Sequence, residues 1–268
     1  MSGRTVWAVV LIGLGVWFVL DSLDVLGGRG WSLLWPVVII AIGLALILSR
    51  RRSRQPVPTL DALALDGATH CRITIRHGAG RLTVRGGAAS ELLYSGRFGG
   101  SVERTVARFG DVLEVALGAS GRDWPYLVVP WTWTKGHPGL EWDILLGAVP
   151  ALDLVFETGA SESHLDMSGL RVERFQVKTA ASRTRIIAPT GVGLTRGRIS
   201  SGAASVDVVV PSGVAAHISG VMGLGALHVD QGRFPKNEKG YYESPGYADA
   251  PDRLELEVEG GVGAVTVR

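Results

Sequence analysis

Two long apolar runs open the chain and predict a membrane segment. Thr5–Leu20 and Trp31–Leu48 contain no charged residue over 16 and 18 positions. At a rise of about 1.5 Å per residue, each run forms a helix that covers most of a bilayer core about 30 Å thick. The stretch between the runs is short, polar and rich in glycine. The pattern therefore predicts a two-helix transmembrane hairpin within residues 1–54, with spans at about 5–26 and 31–48.

After the hairpin the sequence changes to a β pattern. A Pro-rich linker at residues 55–59 ends the second helix, because proline lacks the backbone donor that a helix needs. From residue 60 onward, apolar and polar residues alternate in short runs between glycines, as in Arg81–Arg85 and Leu254–Val258. A period of two is typical of strands with one buried face. We therefore predict that residues 60–268 form an all-β domain.

Groups of small residues recur at near-constant spacing over residues 147–268. The last spacing is longer than the others and holds an insertion rich in Tyr, Pro and Gly. A unit of about 21 residues cannot bury its own apolar face, whereas stacked units can. The spacing predicts a β-solenoid with a small residue at each crowded corner, and a β-sandwich is the alternative. The predicted corner residues are Ala160, Ala181, Ala204, Gly225 and Gly263.

Residues 60–146 contain a first small-residue box, Gly78–Gly80, and then a different, tryptophan-rich stretch at residues 89–146. We predict an N-terminal β-layer there, with a loop whose aromatic side chains cover the open end of the solenoid. An aromatic binding surface is the other interpretation, and the cover is favoured because tryptophan more often supplies buried area. The tryptophans are Trp124, Trp131, Trp133 and Trp142.

The N-terminal segment also carries the residues expected to anchor it. Tryptophans near the ends of the spans fit the aromatic belt at the membrane interface, and the arginines that follow the second span fit a cytoplasmic headgroup anchor. The positive-inside rule then places both termini in the cytoplasm of a bacterial inner membrane. Three glycines could let the helices pack closely. These residues are Trp7, Trp31 and Trp35, then Arg50, Arg51, Arg52 and Arg54, and finally Gly13, Gly15 and Gly43.

The distribution of charge and the candidate reactive residues limit the classes of function that the chain can have. Residues 1–54 hold six of the 27 basic and two of the 25 acidic residues, so the rest of the chain has no basic excess to bind nucleic acid. The single cysteine, Cys71, excludes an internal disulfide and is expected to pack as a small apolar residue. His164 and Asp166 share a strand face, but the sequence offers no third metal ligand beside them. We therefore expect no cofactor, no metal and no catalytic site.

Segments at both ends of the chain point to known families. They are Gly13–Gly15, Leu34–Val38 and Ile42–Leu44 in the hairpin, then Glu141–Asp143, Val149–Pro150, Asp153–Leu154, Gly159–Ser161, Leu165–Leu170 and Ser205–Gly213. On these residues the hairpin resembles the LiaI/LiaF-type transmembrane region, and the rest resembles LiaF-like and "toast-rack" adhesin-like domains. The resemblance implies a right-handed β-solenoid on a membrane anchor and, for the best-known members, a regulator of envelope-stress signalling that acts on a membrane histidine kinase.

Three classes of function follow. The first is a non-catalytic modulator of a membrane histidine kinase, and the second is a self-associating scaffold or adhesin-like binding domain that could form homo-oligomers. The third is an enzyme, which the missing site disfavours. The expected partner is thus the membrane together with a membrane protein or a second copy, rather than a small-molecule cofactor.

Overall fold

The structure describes most of the β-domain. The computed structural model describes residues 58–119 and 141–268, and the chain divides into two units, residues 1–54 and 55–268. None of the helices in the described ranges is long and apolar enough to cross a membrane. Both predicted spans, and the linker up to residue 57, lie outside the described residues.

Strands make up almost all of the regular structure in the described residues, which confirms the prediction of an all-β domain. A 3-10 helix, Tyr247–Asp249, is the exception. The strands are β1 (Thr59–Ala64), β2 (His70–Gly86), β3 (Leu92–Phe98), β4 (Val102–Phe109), β5 (Val112–Ala119), β6 (Glu141–Leu146), β7 (Ala151–Asp166), β8 (Val172–Thr179), β9 (Arg183–Ile187), β10 (Leu194–Val209), β11 (Ala215–Met222), β12 (Ala226–Val229), β13 (Tyr242–Glu243) and β14 (Arg253–Val267).

Parallel layers form the body of the domain. Each layer has two arms that meet at a corner of small residues, either within one long strand (β2, β7, β10, β14) or between two short ones (β8 with β9, β11 with β12). The inward side chains of both arms belong to one buried cluster, with Ile73, Phe156 and Val208 fully buried. The alternation of apolar and polar residues in each arm therefore places one face of every layer in a common core.

The middle of the stack repeats at almost constant length. Leu154 of β7 lies opposite Phe175 of β8, and Phe175 lies opposite Gly197 of β10. In the second arm, Ile186 of β9 lies opposite Val208 of β10, one repeat further along the chain. Because equivalent residues stack in columns, inward positions meet inward positions in each of these layers.

The last two layers do not follow chain order. β14 lies between β10 and the β11–β12 layer, pairing in parallel with both. The sequence pattern leaves this order open, because the long gap before the last box fits a strand on either side of β12. The insertion between β12 and β14 is long enough for the chain to return to the start of the first arm. This order pairs the 15-residue β14 on both sides and leaves the short β12 at the edge.

A carboxylate fixes the return of the chain into β14. Asp252, directly before the strand, accepts hydrogen bonds from the backbone N–H groups of Gly191 (2.8 Å) and Gly193 (3.0 Å) at the entry to β10. These backbone donors hold the pKa of the Asp252 carboxyl below its usual value. The start of β14 is therefore fastened to the layer on which it packs.

The other end of the stack is closed by antiparallel strands. β5 and β6 pair in parallel with β2, and then β4 pairs with β5 and β3 with β6 in the antiparallel sense. Trp142 on β6 is 3% exposed and packs edge-to-face on Phe98, with ring centroids 5.0 Å apart. It therefore contributes to the core of the predicted N-terminal layer, while Trp124, Trp131 and Trp133 lie outside the described residues.

We expect residues 60–268, produced without the hairpin, to fold alone. The buried cluster lies within this part of the chain and combines both arms of all layers. The circular dichroism spectrum should show the single minimum of β-structure and a cooperative thermal transition. A spectrum with the helical double minimum, or with no transition, would contradict this expectation.

Candidate functional site

The corners of the layers form a column of small residues along the stack. Ala160 lies opposite Ala79 of β2, and Ala204 lies opposite Gly263 of β14. Ala181 joins the same column, since its N–H donates to the carbonyl of Gly159 at 3.2 Å. Gly225 packs against Gly263 at the last layer. The structure thus brings the five predicted corner positions together in neighbouring layers.

Backbone contact explains the glycines in this column. A Cβ added to Gly263 would lie well within 3.0 Å of the Ala204 carbonyl oxygen, and one added to Gly225 would equally overlap the carbonyl oxygen of Gly263. A Cβ added to Gly159 would likewise overlap the carbonyl oxygen of Gly78. Gly263 also has a φ of +119°, which side chains rarely adopt. Neighbouring layers therefore approach more closely at these corners than a methyl group allows.

The alanines of the column differ in their surroundings. Ala204 is 5% exposed, Ala160 is half-buried and Ala181 is exposed. The interpretation of every small box as a crowded inner corner is therefore wrong for the side chain of Ala181, which points to solvent because the chain leaves β8 there before β9 begins.

We expect Ala204→Trp to destabilise the β-domain and Ala181→Trp to leave it nearly unchanged. Overpacking a buried site costs about 1–3 kcal/mol, whereas exposed substitutions usually change the free energy of unfolding by less than about 0.5 kcal/mol. Chemical denaturation of the two variants measures both values. Equal losses in the two variants would show that the exposure of Ala181 does not decide its tolerance.

A groove of about 1280 Å³ follows the outside of this column across six layers. A row of buried polar residues lies along it, one from each of four successive layers: His77, Thr158, Thr179 and Ser201. The Thr158 hydroxyl donates to that of Thr179 at 2.9 Å, and the buried Ser201 hydroxyl has no hydrogen-bond partner among the described residues. These hydroxyls are buried, so the polar surface that the groove presents comes from the charged side chains beside them.

Charged side chains flank the groove in the adjacent row. Arg76, Glu157 and Lys178 lie on successive layers, and Glu157 pairs with both cations at 3.1 and 3.5 Å. Their side chains are 37–62% exposed. Exposed pairs of this kind contribute little to stability, and they form a row of alternating charge beside the groove.

The same alternation of charge runs over the outer face of the first arm. Asp153, 23% exposed, lies between Arg72 (3.3 Å) and Arg174 (3.4 Å) on the neighbouring layers. Further along the stack, Arg196 pairs with Glu255 at 3.1 Å. Sequence reasoning missed these ladders because their members are 21, 59 or 81 residues apart and meet only once the layers are in register.

The edge of the last layer is apolar and exposed. Val221 and Leu224 are 76% and 87% exposed, and the neighbouring Val262 on β14 is 51% exposed. Within the described residues, no strand pairs with the outer side of residues 219–229. We call this outer side of β11 and β12, residues 219–229, the tail edge.

The described residues give no indication of a metal or catalytic centre. They contain no group of three or more His, Cys, Asp or Glu side chains able to hold a metal ion. Cys71 lies in the core at 2% exposure, as predicted for a small apolar residue. The predicted membrane anchors and packing glycines of residues 1–54 lie outside the described residues.

We expect Cys71 to react slowly with a maleimide in the native protein. Burial raises the pKa of the thiol to about 11, so the reactive thiolate is scarce at about pH 8. Labelling followed by mass spectrometry should show fast modification only after denaturant is added. Equal rates with and without denaturant would mean that the core around Cys71 opens readily.

Comparison with known proteins agrees with this architecture. Residues 55–209 match the N-terminal domain of toast_rack, and residues 2–58 match the LiaF transmembrane domain. The chain belongs to the toast-rack family, with a LiaF transmembrane domain at its N-terminus that anchors it to the membrane. The predicted LiaF-like and toast-rack resemblance is thereby confirmed.

Two solved structures resemble the chain. One is a candidate cell adhesion protein from Clostridium sporogenes, 19% identical, with a TM-score of 0.67 over 79% of this chain and 98% of that one. The other is a candidate adhesin from Bacteroides fragilis, 10% identical, with a TM-score of 0.32 over 81% and 100% of the two chains. The first shows the same fold. No curated protein matches the sequence.

Proposed function

We propose that the protein modulates cell-envelope stress signalling by binding a membrane histidine kinase, without catalysing a reaction. The observation that carries the proposal is the LiaF transmembrane domain joined directly to a toast-rack β-domain. The hairpin would supply close helix contacts around Gly13, Gly15 and Gly43. The β-domain would supply a second, polar contact, and two linked contacts raise the effective concentration of each beside the partner.

The groove along the corners is the surface of the β-domain best suited to that second contact. It spans six layers and presents the Arg76–Glu157–Lys178 row of charged side chains. Fixed charges in register favour one partner orientation over others, which is what a modulator of a specific kinase requires.

Deleting the gene tests the proposal. We expect the output of an envelope-stress promoter to change even without antibiotic, and deletion of residues 1–54 or of residues 60–268 to have the same effect. The charge reversal Lys178→Glu in the groove should reproduce part of the change, whereas Arg185→Glu, an exposed cation outside the groove, should not. A kinase should co-purify with the unaltered protein from native membranes. If no two-component regulon shifts in the deletion strain, the signalling proposal fails.

The topology that this function needs is a further part of the proposal. We place two helices in the membrane, at about 5–26 and 31–48, and both termini in the cytoplasm, supported by four arginines after the second run against Arg29 alone between the runs. A separate part of the proposal, supported by the family resemblance, is that the solenoid is right-handed. A C-terminal alkaline phosphatase fusion should be inactive and a fluorescent protein fusion bright.

A scaffold or adhesin-like role is the second candidate. It is favoured by the shared fold with the candidate cell adhesion protein from Clostridium sporogenes. An active phosphatase fusion would place the β-domain outside the cytoplasmic membrane and make this role the better one.

A further inference from the structure

The tail edge differs from the opposite end of the stack in its charge. Residues 215–229 contain no Asp, Glu, Lys or Arg over fifteen positions. At the other end, β4 alternates its exposed apolar residues with Glu103, Arg104 and Arg108. Charged residues on an edge strand are a common means of preventing strand pairing between molecules. The β4 edge has this protection and the tail edge lacks it.

The insertion covers part of the last layer and leaves the rest open. β13 pairs with His217 and Ile218, and the Ser244 N–H donates to the carbonyl of Ala216 at 2.9 Å. Beyond Ile218 the backbone groups on the outer side of β11 and β12 face no described strand. The open part therefore begins at Ser219 and continues to Val229, with Leu224 at its centre.

We propose that the tail edge is a homodimer interface, in which residues 219–229 pair with the same residues of a second copy of the chain. A charge-free edge suits its own copy, because a twofold axis then sets no like charges opposite one another. Pairing the tail edge with β4 of another copy would instead bring Glu103, Arg104 and Arg108 against apolar side chains. The difference in charge thus favours the symmetric arrangement.

The bent shape of the edge is compatible with that symmetry. A twofold axis that bisects the corner places the first arm of one copy over the second arm of the other, so the two bends coincide. With the axis at Leu224, antiparallel pairing runs from Ser219 opposite Val229 to Val229 opposite Ser219. The two Leu224 side chains, each 87% exposed in the single chain, then meet at the centre.

The expected dimer is weak in solution and favoured in a membrane. Stable interfaces bury about 1,200–2,000 Å² in total, and one pair of eleven-residue edges is expected to give a small interface. Anchoring both copies in one bilayer raises their effective concentration, so a contact that dissociates on dilution can still form there. The inference does not depend on the signalling role.

Cysteine cross-linking of the full chain in native membranes tests the pairing. Leu224→Cys should give a covalent dimer with a short bismaleimide, while Phe109→Cys, 65% exposed on β4, should give at least tenfold less. The unaltered chain supplies the blank, since Cys71 is buried. A dimer formed only between Leu224→Cys and Phe109→Cys chains would mean head-to-tail stacking and would overturn the proposal. A Leu224→Cys adduct with a different protein would overturn it equally.

Charge placed on the edge provides the second test. Val221→Lys with Leu224→Lys should lower the dimer fraction of the full chain in nanodiscs at least tenfold, as measured by mass photometry over a dilution series. Leu60→Lys, an equally exposed apolar position on β1, is the matched control and should leave the dimer unchanged. Both sets of positions are exposed, so the variants should fold. A monomer in the unaltered protein at every concentration, together with no cross-link, would refute the proposal.

Discussion

Gly263→Ala is expected to destabilise the β-domain by about 2–6 kcal/mol. Two effects combine at this position. The new Cβ overlaps the Ala204 carbonyl oxygen of the neighbouring layer, and a φ of +119° is strained for any residue with a side chain. Because the obstacle is backbone that is itself paired with β14, it cannot move aside without breaking the register of β10 with β14.

The matched control for this variant is Gly169→Ala. Gly169 lies in a turn of the same domain, its φ is not positive, and nothing lies within 4 Å of an added Cβ. Urea denaturation of residues 60–268 should give Gly169→Ala a free energy of unfolding within about 0.5 kcal/mol of the unaltered domain. Restricting the unfolded chain by Gly→Ala favours folding in both variants. Equal losses of stability would therefore mean that neither the contact between layers nor the positive φ decides the cost at Gly263.

Gly197→Ala is the second substitution with a large expected effect. Gly197 is buried opposite Phe175, and a Cβ added there would lie within 3.0 Å of three atoms of the phenyl ring. Overpacking of this kind costs about 1–3 kcal/mol. The obstacle is a side chain, so a smaller residue in its place should relieve it.

A double-mutant cycle with Phe175→Leu tests that explanation. Phe175→Leu alone should destabilise the domain, since the ring is fully buried and its removal leaves a cavity. Combined with Gly197→Ala, the total loss should fall short of the sum by at least about 0.5 kcal/mol, the size typical of residues in contact. Strict additivity would mean that the ring is not what excludes the methyl group.

Sequence reasoning predicted the local structure of the β-domain better than its order in space. The alternation around Ile73, Phe156 and Val208 is a local property, and it sufficed to predict strands with one buried face. The spacing of the boxes likewise reflects contacts between consecutive layers. The position of β14 was not predictable in this way, because the long gap between the last two boxes fits a strand added after β12 as well as one placed before it.

The candidate surfaces depend on that order and were missed for the same reason. Leu224 lies in one of the small boxes, and the pattern gives no sign that it is 87% exposed. Leu224 is exposed because its layer ends the stack. This layer pairs with β14 on one side, and no described strand pairs with β12 on the other. The charge ladders also require the register, since Arg72 and Asp153 are 81 residues apart.

The placement of β14 has a consequence for biosynthesis. As the chain leaves the ribosome, β10 and then β11 and β12 appear before the strand that belongs between them has been made. β11 and β12 pair with β14 and not with β10. They therefore have no layer to pair with until the chain has been made up to residue 267. A chain that ends before β14 therefore exposes an unpaired edge on β10 and leaves β11 and β12 without the strand that they pair with.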